Sequence, residues 1–134
     1  MIDFHFVKTN SIPLSDHSDW LKKVVLSEKK TLGSLSYIFC DDNFLLKKNI
    51  EFLKRDYLTD VIAFDYSKKN QISGDVFISV NRVKENSKKF KTPFLTELER
   101  VMVHGLLHLL GYNDKTKNDS KIMTEKENFY LSIK

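Results

Sequence analysis

TELERVMVHGLLHLLGYNDK, running from Thr96 to Lys115, is the stretch on which the rest of the sequence turns. On a helix at about 100° per residue it is apolar nearly all round, with Leu98, Val101, Met102, Val103, Leu106, Leu107, Leu109 and Leu110 covering most directions. That pattern predicts a buried helix over about 95–110, with Pro93 at its entry. One main polar stripe remains, with Thr96 and Glu99 outside it in the first turns. Glu97, Arg100, His104, His108 and Gly111 fall within roughly a quarter of the circumference.

His104 and His108 stand one turn apart, so their side chains project side by side, with about 5–6 Å between Cβ atoms. Two imidazoles so placed can reach one ion. Gly111 lets the chain leave the helix and turn back, which brings Asp114 toward the histidines in the pattern H-x3-H-x5-D. Three protein ligands would leave one tetrahedral position open for water, the arrangement of a catalytic zinc; two histidines and a carboxylate also suit other transition metals. A bare H-x3-H pair is more often a pair of satisfied core histidines. Here the polar stripe, the helix-ending glycine and the carboxylate together favour a metal site.

Outward from this helix, the chain reads as nine elements in the order βαβαββααα. Residues 2–7 alternate as a strand; Ser15 or Asp16 caps a helix that runs to about Lys30 and is stopped by Gly33. A strand over 35–40 and a helix over 41–54 follow. VIAFDY (61–66) and DVFISV (75–80) form a hairpin across the turn-type segment 67–74. Short helical segments over 81–89 and 117–131 flank the central helix. The order predicts an α/β or α+β architecture: a mixed four-stranded sheet with about five helices, in one domain spanning residues 1–134.

The 134 residues, 41% of them hydrophobic and including 10 Phe and 5 Tyr, suffice for one core. Cys40 is the only cysteine, which excludes an internal disulfide and a multi-cysteine zinc cluster, and fits a reducing cytoplasm. The N-terminal MIDFHFVKTN lacks the pattern of a secretory signal, and no apolar run approaches the length of a membrane span. A net charge of +4, with paired lysines such as Lys47-Lys48, permits a nucleic-acid partner without requiring one.

With those residues in view, the sequence resembles the YbeY family of rRNA-maturation endoribonucleases. The family frame H-G-x-L-H-L-x-G-Y is matched by His104-Gly105-Leu106-Leu107-His108-Leu109-Leu110-Gly111-Tyr112, and 49–64 and 74–79 look like two further family stretches. Gly105 stands where a metallopeptidase H-E-x-x-H motif has its glutamate. The resemblance implies a zinc-dependent, single-strand-specific endoribonuclease, acting in 16S rRNA 3′-end processing and ribosome quality control. Single-stranded RNA, ribosomal RNA or the small ribosomal subunit would be the partner. Two departures stand out. Asp114 takes the place of the family's usual third histidine, and Leu53 that of its usual arginine. Arg55 and Lys115 are the candidate cations for the phosphate, and Glu97 the candidate partner that fixes a ligand histidine; Arg100 alternatively pairs with Glu97 at i, i+3. The alternative function is a ribosome-associated assembly factor with a mainly structural zinc.

Overall fold

The computed structural model describes residues 1–54 and 59–134. The elements are β1 (Ile2–Phe6), α1 (His17–Ser27), β2 (Thr31–Cys40), α2 (Asp42–Leu53), β3 (Val61–Asp65), β4 (Gln71–Ser79), α3 (Val80–Phe90), α4 (Phe94–Leu109) and α5 (Lys117–Ser132). The strands form one mixed sheet in the order β1-β2-β4-β3, with β1, β2 and β4 parallel and β3 antiparallel to β4. The expected α+β architecture and the β3–β4 hairpin are present.

Strand alternation sorts the side chains onto two faces. Leu35, Tyr37 and Phe39 of β2, with Val76 and Ile78 of β4, join the large core that contains Trp20 and Leu21 of α1 and Met102, Leu106 and Leu107 of α4. The opposite face carries a smaller cluster in which Leu45 of α2 meets Cys40 and Ile62, with Phe44, Phe64 and Phe77 against it. So α2 lies on one side of the sheet and α4, which carries His104 and His108, on the other. The edge strand β3 runs between them. Ser79 N–H donates to the Asp60 carbonyl at 2.9 Å and Tyr66 N–H to the Ser73 carbonyl at 2.9 Å. Those alternate residues bond inward to β4, and the main chain of Ala63 therefore faces outward.

Side chains cap three helices: Asp41 accepts from Phe44 N–H, Ser79 from Arg82 N–H and Thr116 from Asp119 N–H. Asp16 stands at the start of α1 but makes no such bond.

Two local expectations are corrected. Gly33 does not stop α1, which ends at Ser27; the turn is made by Lys29 at φ 61°, and Gly33 lies inside β2 against the Ser73 side chain. The segment 67–74 is not wholly a turn either, since 71–74 already belong to β4 and pair with β2 and β3. No helix among the described residues is long and apolar enough to cross a membrane.

Candidate metal centre

The apolar circumference of α4 buries Leu98, Val101, Met102, Val103, Leu106, Leu107 and Leu109, and fixes the rotation of the helix. Gly105 allows its close approach to the sheet. A Cβ there would lie 2.6 Å from Cγ1 of Val76, so α4 rests directly on β4. With that face down, His104 and His108 are left partly exposed at the rim, as the polar stripe predicted.

Gly111 then ends the helix as expected. Its φ of +104° lies where L side chains are strained, and the Tyr112 N–H reaches back to the Leu107 carbonyl at 3.0 Å. The reversal carries Asp114 over the histidines. Its Oδ2 lies 3.5 Å from His104 Nε2 and 3.7 Å from His108 Nε2, and the two Nε2 atoms are 3.0 Å apart. One ligand atom from each of the three residues falls within 4.8 Å of the others, a group that can hold a metal ion.

The outer nitrogens decide what faces the centre. His104 Nδ1 is 2.7 Å from Glu127 Oε2, and His108 Nδ1 is 3.1 Å from the Tyr112 carbonyl. A carboxylate and a carbonyl only accept, so each Nδ1 must carry the hydrogen, and each neutral ring turns an Nε2 lone pair inward. Two lone pairs and a carboxylate oxygen thus converge. Three acceptors at such distances repel unless a proton or a metal cation lies among them, and this donor set fits a metal.

The same logic appears in the protonation of the metal-free site. Burial works against the charged form of His104, but the Glu127 carboxylate, helped by Asp114 and Asp60, outweighs it and raises the pKa above the usual imidazole value. For His108, burial and then the charge of His104 lower it. Burial opposes ionisation of Glu127, yet its bonds to His104 and Arg100 hold its pKa below the ordinary glutamate value.

Glu127 is the carboxylate that orients His104, a role assigned above to Glu97. Glu97 is buried about two turns before His104, in the first turn of α4, and makes no hydrogen bond to either histidine. Arg100 likewise bonds to Glu127 at 2.8 Å and to Asn128 at 2.8 Å rather than pairing with Glu97. Local spacing on α4 favoured Glu97; Glu127 arrives from α5. Its signal was present as a charge at i+4 from Met123 and i−3 from Tyr130, on the buried face of α5.

Two cavities flank the centre. The larger, about 430 Å³, is bounded by His104, His108, Asp114, the edge of β3 from Val61 to Ala63, and Leu53 at the end of α2. Lys115 lines it, and Arg55 lies outside the described residues. The smaller, about 250 Å³, contains Glu97, Arg100 and Glu127. Asp60 lines both. Burial raises its pKa first and foremost, against the opposing charge of His104, and its Oδ2 accepts from Asn86 at 3.3 Å. Asp75 lies within β4 rather than at its end, bonded to the Tyr66 hydroxyl. His17 is buried against Glu99 at 2.8 Å, apart from the metal group.

Residues 5–133 match the sequence profile of a family described as Endoribonuclease YbeY. A protein named Endoribonuclease YbeY from Flavobacterium johnsoniae is 47% identical over 134 residues, covering 99% of this chain and 96% of its own. One of the same name from Bacteroides fragilis is 42% identical over 128 residues, covering 96% and 92%. The solution structure of TM1509 from Thermotoga maritima superposes with a TM-score of 0.70 at 26% identity, over 96% of this chain and 87% of that one. A match of this length, on a chain whose α4 brings two histidines and an aspartate together, places the protein in the endoribonuclease YbeY family.

Proposed function

We propose that this chain is a zinc-dependent endoribonuclease, a single domain acting in the cytoplasm on single-stranded regions of ribosomal RNA, in 16S 3′-end maturation and ribosome quality control on the small subunit. The observation that carries the metal assignment is the inward convergence of the His104 and His108 Nε2 lone pairs on Asp114. A bound zinc would supply a Lewis acid that makes water acidic enough to ionise near neutral pH and polarises a phosphoryl oxygen.

The protein's own part is positioning, charge and proton handling. His104, His108 and Asp114 hold the ion, Glu127 and the Tyr112 carbonyl keep the rings turned, and Asp60, half-buried in the cavity beside the centre, takes a proton from the attacking water. Lys115 borders the larger cavity and offsets charge growing on the phosphate, with Arg55 as a second cation for the same task. Glu97 shares the smaller cavity with Asp60, and burial raises its pKa with Asp60 adding to the rise, which suits it to hold a proton in that cluster.

The test is the metal content of protein purified without added metal, beside a His104→Ala, His108→Ala double variant, with cleavage of a single-stranded RNA followed in both. About one zinc per chain, lost together with cleavage in the variant, is the expected result. Protein free of metal sinks the site. Bound zinc without cleavage turns the reading toward a ribosome assembly factor.

A further inference from the structure

One stripe of α2, at the margin of its packing on β3 and β4, carries features that the metal chemistry does not use. Phe44, Lys48 and Phe52 recur at i, i+4 and i+8, so they share one stripe of the helix. The Lys48 ammonium lies 5.4 Å from the centroid of the Phe44 ring and 5.1 Å from that of Phe52. Phe52 meets Phe64 of β3 edge to face at 5.8 Å and still leaves 55% of its surface in water. The rings themselves do not line the larger cavity, but the residues next to them in the chain do: Leu53 follows Phe52, and Ala63 precedes Phe64.

We infer that Phe52, backed by Phe64 and flanked by Lys48, is a stacking platform for the single-stranded RNA that flanks the cleaved phosphodiester. An exposed aromatic ring offers a sequence-tolerant surface to an unpaired base, and a neighbouring cation meets the phosphate beside that base. Lys47 of α2 and Lys54 at its C-cap are exposed, and from Lys47 to Lys54 three lysines stand against the single acid Glu51, a balance suited to a polyanion. A duplex keeps its base faces stacked inside and has none to give to Phe52. The platform therefore selects single strands before the metal is reached. This rests on the proposed ribonuclease activity and extends it to recognition.

Metal-loaded protein is titrated into a fluorescein-labelled single strand of mixed adenosine and uridine, 2′-O-methylated to prevent cleavage, and into the matching duplex. The wild type is expected to prefer the single strand. Phe52→Leu, which keeps apolar bulk and removes the ring, weakens single-strand affinity by about tenfold and leaves duplex affinity alone. Lys48→Met lowers the slope of log affinity against log salt by about 0.7, the release of one phosphate contact from a single strand. Lys23→Met, on α1 across the sheet, changes neither. Phe52→Leu and Lys48→Met that bind like the wild type, or displacement of the RNA by polyglutamate as readily as by unlabelled RNA, overturn the platform while leaving the nuclease reading intact. A wild type that neither binds nor cuts any RNA removes both.

Discussion

Tyr112 and Glu28, 84 residues apart in the chain, are joined by a 2.6 Å hydrogen bond from the phenol to the carboxylate. The same carboxylate accepts from the Tyr130 hydroxyl and, at 3.1 Å, from the Lys126 ammonium. Tyr112 also supplies the carbonyl that holds His108. The end of α1, the loop after α4 and the face of α5 are thus fastened at one carboxylate behind the metal group.

Tyr112→Phe removes one of these donors and leaves the backbone in place. A hydrogen bond to a charged group is worth about 1.5–3 kcal/mol, so urea unfolding of the metal-free protein should show a loss of about 2 kcal/mol. Unchanged stability would mean that Tyr130 and Lys126 satisfy Glu28 without help.

Glu127→Gln keeps the shape of the side chain and removes the charge that accepts from His104 and Arg100. Loss of such a partner typically weakens metal affinity by about 10–100-fold. Competition for zinc against a chromophoric chelator measures it. Wild-type affinity in the variant would return the orienting role to other groups.

Gly105→Ala tests the contact between α4 and the sheet. Alanine favours a helix over glycine by about 1 kcal/mol, but its Cβ would sit 2.6 Å from a methyl of buried Val76. Overpacking of this kind costs about 1–3 kcal/mol, so a net loss in thermal unfolding is expected despite the better helix former. The same contact means that a glutamate at this position would point into β4, so the peptidase arrangement has no room on this helix.

Metal binding should release a proton. In the metal-free protein the carboxylates around His104 hold its pKa above the usual value of 6.5, and a ligand nitrogen must be bare to bind. Affinity therefore falls as pH drops through that raised value and levels off above it. Calorimetry at pH 7 in buffers of different ionisation enthalpy should give heats that differ in proportion. Identical heats in all buffers would show that His104 is already neutral.

Cys40 should be inert. It is fully buried beside Ile78, and burial, with Asp41 and Asp42 nearby, pushes its thiol up to about 12. A thiol reagent at pH 8 should leave the folded chain unmodified and label it stoichiometrically in denaturant; fast labelling of the native protein would contradict the packing of α2 on the sheet.

How far the sequence carried depended on whether the determining neighbours were close along the chain. The rotation of α4, the turn at Gly111 and the approach of Asp114 were legible because all are set within one segment. Glycine as a helix stop misled at Gly33, since among the described residues the left-handed positions outside glycine are taken by lysines, including Lys29, Lys54 and Lys91 at the ends of α1, α2 and α3. Nothing in a lysine announces that conformation. Glu127 and Asp60 were missed for the other reason: one comes from α5 and the other from the entry to β3, and only tertiary packing brings them beside His104.

That packing also sets a schedule. The carboxylate that turns His104 lies 23 residues after it, and the hydroxyl of Tyr130 that helps anchor Glu28 lies later still. In a chain made N-terminus first, His104, His108 and Asp114 precede α5, and until α5 has packed the His104 ring lacks the carboxylate that holds it. A nuclease so arranged completes its candidate metal group only once the segment that follows it in the chain has folded back.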